Sequence, residues 1–228
     1  MNSNQKTARA AGLLYLVVIV CGIFSELYVR ASVKVPGDAI ATANNITSSE
    51  FLYRLGFVSD LIMITCYFLV AFFLYMILEP VNKNLAKLMV LFNLISIPIM
   101  CINMLNHSAA LLLMSGADYL KVFETEQLQA LVMLFLNFHN DGYLVAELFF
   151  GLYLFPLGYL VFKSECLPKI LGILLIIGSI GDLTVFFTFF LFPNYIEIIS
   201  QFFDPPAGIA EISLCLWLLI KGVKEQRA

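Results

Sequence analysis

The chain has 228 residues, of which 61% are hydrophobic and only 13% charged, and its formal net charge is −3. Soluble domains carry about 45–50% apolar and about 25% charged residues, so the composition excludes a soluble globular protein. It provides no basic face for nucleic acid, and its length suits about six helical spans of roughly 20 residues without a separate soluble domain.

The first span is expected at about 10–30, opening after Lys6 and Arg9. A charged start before a short apolar core is also the pattern of a signal peptide. The nearest A-x-A pattern, Ala41-Thr42-Ala43, comes far too late for cleavage, so the segment reads as an anchor. A polar loop follows, with Pro36-Gly37-Asp38 and Asn44-Asn45-Ile46-Thr47. Span two is expected at about 51–78, stopped by Glu79-Pro80, and span three at about 88–114, with a kink at Pro98.

Residues 126–162 are too long for one span, and His139-Asn140-Asp141-Gly142 interrupts them; His139 with Asp141 reads as a turn with a capping aspartate in preference to a metal site. The apolar stretch Leu128 to Phe138 would rise only about 16 Å against a hydrocarbon core of roughly 30 Å. It therefore predicts a short interfacial or re-entrant helix before span four, which is expected at about 142–162. Span five, about 169–192, ends at Pro193. A short surface helix over Tyr195 to Phe203 precedes span six, about 207–223, entered through Pro205-Pro206. The expected fold is all-α: a single membrane domain over 1–228, with six transmembrane helices in one bundle plus the short helix before span four. The five cysteines form no CxxC pair and read as small packing residues.

Charge sets the orientation. In the six-span arrangement one side holds Lys6, Arg9, Lys83, Lys87, Lys163, Lys169, Lys221, Lys224 and Arg227, and the other Arg30, Lys34, Arg54 and Lys121. Nine against four places both termini in the cytoplasm. Only Glu79, Glu165 and Glu225 of the acids fall on the cytoplasmic side.

Every span also carries an ionisable acid or histidine in its outer half: Glu26, Asp60, His107, Glu147, Asp182 and Glu211 in chain order. Such groups cost about 2.5–3.5 kcal/mol each at mid-membrane on insertion scales, so they face a protein interior or a wet cavity. Helical spacing puts each on the same face as small and polar residues. Glu26 shares a face with Gly12, Tyr15 and Gly22; Asp60 with Tyr53, Gly56 and Tyr67; His107 with Asn93, Ser96 and Asn103. Glu147 shares one with Tyr143 and Gly151, Asp182 with Gly172 and Ser179, and Glu211 with Gly208 and Cys215. Faces of this kind pack helices together in a membrane even without a ligand. The expected site is a pocket of Asp60, His107, Glu147 and Asp182, rimmed by Glu26 and Glu211, with Asn103 and the rings of Tyr53, Tyr67 and Tyr143 in its wall. Arg54 lies off this face and reads as an interfacial side chain paired with Glu50.

No HExxH, GxSxG, Walker or dinucleotide-binding glycine pattern is present, so no catalytic residue and no cofactor is assigned. Ser59-Asp60-Leu61-Ile62, Leu78-Glu79-Pro80-Val81-Asn82-Lys83, Leu157-Gly158-Tyr159-Leu160, Pro168-Lys169-Ile170-Leu171-Gly172 and the segment from Glu211 to Gly222 carry a resemblance over nearly the whole chain. The sequence resembles a family of prokaryotic polytopic membrane proteins catalogued only as a domain of unknown function. The resemblance implies a bacterial or archaeal cell membrane and a six-helix domain, and it brings no activity.

Three readings follow from the residues. The acidic pocket binds or translocates a cation or a cationic small molecule, because crowded carboxylates need protons or a cation. Alternatively, Asp60, His107, Glu147 and Asp182 ligate a metal ion in an intramembrane hydrolase acting on a lipid-like substrate. Or the protein is a structural or partner-binding subunit in the lipid bilayer.

Overall fold

A computed structural model describes residues 3–224. Glu225 and Arg227, which enter the charge count, lie outside the described residues. Among the described residues the structure is helical and contains no strand. Seven helices carry it: α1 Ser3–Ile23, α2 Ala39–Ser48, α3 Glu50–Leu78, α4 Lys83–Leu113, α5 Thr125–Lys163, α6 Lys169–Leu191 and α7 Ile196–Ile220. Beyond α1 the helix continues as a π-helical segment, Phe24–Arg30, and one further turn, Ala31–Val33. Six stretches are long and apolar enough to cross a membrane: Asn4–Val33, Glu50–Leu78, Lys83–Leu113, Thr125–Lys163, Lys169–Leu191 and Pro193–Ile220. The protein is a multi-pass helical membrane protein.

Three local expectations are corrected. The loop after the first span contains α2, started by a turn with Gly37 at φ +78° and capped by Asp38, whose side chain accepts from the Ala41 N–H at 2.8 Å. Thr42, Ala43 and Ile46 lie on its buried face, so a segment rich in Asn and Thr still forms an amphipathic helix. The break at His139-Asn140-Asp141-Gly142 does not occur, and no separate interfacial or re-entrant helix precedes span four: α5 runs 39 residues without interruption. At 1.5 Å per residue that is about 58 Å, almost twice the hydrocarbon thickness, so the length argument for a break fails because the helix outruns the membrane. The surface helix at 195–203 is likewise continuous with the last span, with Pro205 and Pro206 inside α7. On either side of these prolines, Phe203 and Ala207 lie close against Gly181 and Gly178 of α6, where a Cβ would collide.

The chain packs as two compact units. The first comprises residues 1–17, 65–97 and 144–228, and the second 18–64 and 98–143. Unit boundaries fall inside α1, α3, α4 and α5, the one in α4 at Pro98. In the first unit, α6 and α7 pack along each other, Ser179 donates to the Gly151 carbonyl at 2.7 Å, and Gln5 Nε2 donates to the Val223 carbonyl at 2.6 Å. In the second, Val29, Val33, Ala43, Ile46, Tyr53, Ala110, Val132 and Leu136 form one apolar core.

The continuity of α5 is open to test. Asn140→Pro would be tolerated in a turn, but in a helix interior it removes a hydrogen bond and clashes with the preceding turn. It is expected to cost about 3 kcal/mol or more, measured by unfolding of the detergent-solubilised protein.

Candidate functional site

The polar groups of the second unit converge on one guanidinium. The π-helical segment ends at Arg30 and packs against α3 where α3 has Gly56. A Cβ on Gly56 would collide with the Val29 side chain, so only glycine admits this approach. Ser25, fully buried, donates to the carbonyls of Cys21 and Gly56 at 2.9 and 3.2 Å, and Ser59 donates to the same Cys21 carbonyl at 3.2 Å. Arg30, beside Val29, thereby reaches Asp60, one turn beyond Gly56. Its Nη1 lies 2.6 Å from Asp60 Oδ2, and its Nε lies 2.6 Å from Glu26 Oε2. The Asp60 side chain is 2% exposed and that of Glu26 is 61% exposed, so the guanidinium links a buried carboxylate to a surface one.

The second half of the cluster comes from α4 and α5. Asn103 Nδ2 lies 2.9 Å from His139 Nδ1 and donates to the His139 carbonyl at 2.8 Å, while Asn106 Nδ2 donates to Asn103 Oδ1 at 3.0 Å. A Cβ at position 142 would strike the Asn103 carboxamide, which explains Gly142 inside a helix. It is a packing glycine, and the turn reading mistook its purpose. His107 stacks on Tyr53 with ring centroids 3.9 Å apart at 23°. The Tyr53 hydroxyl donates to the His107 carbonyl at 3.1 Å, and His107 Nε2 faces the Tyr53 carbonyl at 3.2 Å. The two imidazoles meet edge to face at 5.6 Å.

Asp60, His107 and His139 each offer a ligand atom within 4.8 Å of the other two, and all three residues are buried. Two of the acceptors, Asp60 Oδ1 and His107 Nδ1, have no hydrogen-bond partner among the described residues. Buried polar atoms rarely remain unpaired, and these two belong to one cluster.

Of the residues expected to form the pocket, Asp60, His107 and Asn103 come together here, and Glu26 joins through Arg30. Glu147, Asp182, Glu211 and Tyr67 belong to the first unit, where Tyr15 donates to Glu211 Oε1 at 2.6 Å and Tyr67 packs edge-on against Tyr153. Tyr143, the last residue of the second unit, is 39% exposed. Arg54 pairs with Glu50 at 2.6 Å on an exposed face. Sequence reasoning left two members out of the pocket: Arg30, visible as a countercharge with Glu26 four residues before it, and His139, read with Asp141 as a capped turn in preference to a metal site.

Six apolar spans, four of which contribute a buried cluster of acid, arginine and histidines, define a polytopic helical membrane protein. Within that class the chain belongs to the family described as Domain of unknown function (DUF4386), which covers residues 10–222. A relative from the archaeon Archaeoglobus fulgidus, described as an uncharacterized protein, is 31% identical over 156 residues, spanning 68% of this chain and 76% of its own length. No solved structure matches the chain.

The ion pair makes a specific demand on stability. Arg30→Met leaves Asp60 buried without a partner and is expected to cost about 3–5 kcal/mol. Adding Asp60→Leu should return most of that loss, because the stranded charge is then gone. Unfolding of the single and double variants in detergent measures both.

Proposed function

We propose that this protein is a cation-binding protein of the prokaryotic cell membrane, with both termini cytoplasmic, and that Asp60 and His107 form the centre of its site. The observation that carries this reading is the pair of buried, unpartnered acceptors, Asp60 Oδ1 and His107 Nδ1. A metal ion, an ammonium or a small molecule with a cationic head satisfies both. The bias of basic residues puts the Glu26 end of the first span toward the outer side, so the guest enters from outside, past Glu26. Glu147, Asp182 and Glu211, all of the first unit, are a second set of acids in this reading.

A thermal-shift panel on purified protein tests the proposal, with potassium, magnesium, zinc and tetramethylammonium chlorides as probes. A guest at a hundred times its Kd stabilises by about 2.7 kcal/mol. At least one cation is expected to raise the melting temperature of the wild type and not that of Asp60→Asn or His107→Gln. Glu147→Gln, run alongside, shows whether the second set of acids takes part. Equal shifts in all proteins, or none in the wild type, would overturn the proposal.

A further inference from the structure

The donor chemistry narrows the cation, and the narrowing rests on the cation-binding reading above. Alkali and alkaline-earth ions take oxygen ligands, whereas imidazole suits zinc, copper, nickel and iron. The cluster offers one carboxylate oxygen and two imidazoles, from Asp60, His107 and His139.

His107 is already oriented for coordination. Its Nε2 faces the Tyr53 carbonyl, which can only accept, so Nε2 carries the proton and Nδ1 holds the lone pair. Tyr53 fixes the ring twice more, by stacking on it and by donating to the His107 carbonyl. An imidazole whose far N–H is held by a backbone carbonyl is the arrangement by which metal-ligating histidines are oriented and made more basic. Asp60 is similar: Arg30 holds Oδ2, and Oδ1 remains for one ligand bond.

His139 requires a rearrangement. Asn103 Nδ2 bonds both its Nδ1 and its carbonyl, so Nδ1 accepts and Nε2 carries the proton, facing Arg30 Nη1 at 3.4 Å, donor against donor. Ligation through Nε2 moves that proton to Nδ1 and turns the Asn103 oxygen toward it, at the expense of the Asn106 bond and of the Asn103 bond to the His139 carbonyl. Arg30 holds the remaining control, since its charge sits on the carboxylate that would bind the ion.

We infer that Asp60 Oδ1, His107 Nδ1 and His139 Nε2 bind one divalent first-row transition ion, and that Arg30 is the internal cation with which it competes. Removal of Arg30 therefore tightens binding, although it weakens the fold when no ion is added.

The test uses full-length protein in detergent, stripped with EDTA and titrated with cobalt(II), whose visible ligand-field bands report nitrogen coordination. One equivalent is expected to bind in the wild type, with bands that zinc bleaches by displacement. His107→Gln is expected to lose the bands while keeping the wild-type elution volume and helical content. Arg30→Gln should bind about tenfold more tightly, a gain of about 1.4 kcal/mol, and zinc should raise its melting temperature more than that of the wild type. If Arg30→Gln does not fold, the comparison of wild type with His107→Gln decides. Cobalt bands unchanged in His107→Gln, or no bands in the wild type, would overturn the inference. If cobalt and zinc fail while potassium or tetramethylammonium still stabilises the wild type and not Asp60→Asn, the transition-ion assignment falls and the cation reading stands. If no cation acts on the wild type, both fall.

Discussion

A carboxylate in the interior of a membrane protein keeps its charge where a positive group meets it, and the pairing of Asp60 with Arg30 organises the second unit. The attraction between buried charges repays their desolvation only where geometry is close and the remaining hydrogen-bond positions are filled. Gly56 opens the surface of α3, the π-helical segment comes down onto it, and two serine hydroxyls satisfy the carbonyls near the contact. None of these features stabilises much alone. Together they place a guanidinium 2.6 Å from a buried oxygen and join it to a second carboxylate at the surface.

From this pair, hydrogen bonding extends through α4 and α5 and then stops short. Asn106, Asn103 and His139 form a chain in which each bond fixes the next group, and the Tyr53–His107 pair is held by stacking and two reciprocal backbone contacts. The network leaves unpaired one oxygen of Asp60 and one nitrogen of His107, both acceptors. In the first unit the orphans among the described residues are Gln5 Oε1, both ends of the Asn93 carboxamide and the Tyr153 hydroxyl. The Asn93 carboxamide and the Tyr153 hydroxyl can both donate and accept, so neither selects for charge. In the second unit the two unmet atoms among the described residues belong to one cluster of buried ligand groups.

The six spans were legible because hydropathy over about 20 residues is the strongest signal a membrane chain carries. The faces bearing Asp60, His107 and Asn103 were legible from the 3.6-residue period. Legibility failed wherever a residue's local preference and its tertiary role differ. His139-Asn140-Asp141-Gly142 has the composition of a turn, yet Gly142 accommodates a neighbouring helix and His139 bonds across it. Asn44 and Asn45 have weak helix preference, but burying Ala43 and Ile46 outweighs it. Arg30 was visible only as a countercharge, because its reach to Asp60 depends on a π-helical segment that no composition announces.

That segment has a consequence for how the chain tolerates changes of length. A π-helical stretch takes in residues that an α-helix of the same rise would not hold. Deleting one residue between 24 and 30 would turn the stretch into α-helix with almost no change in its total rotation, because a π-helical run of this length turns about as far as an α-helical run one residue shorter. Leu27, 69% exposed, is therefore a position the span could lose while α1 keeps its angle to Arg30. The same deletion in the α-helical part of the span would rotate everything before it by about 100°.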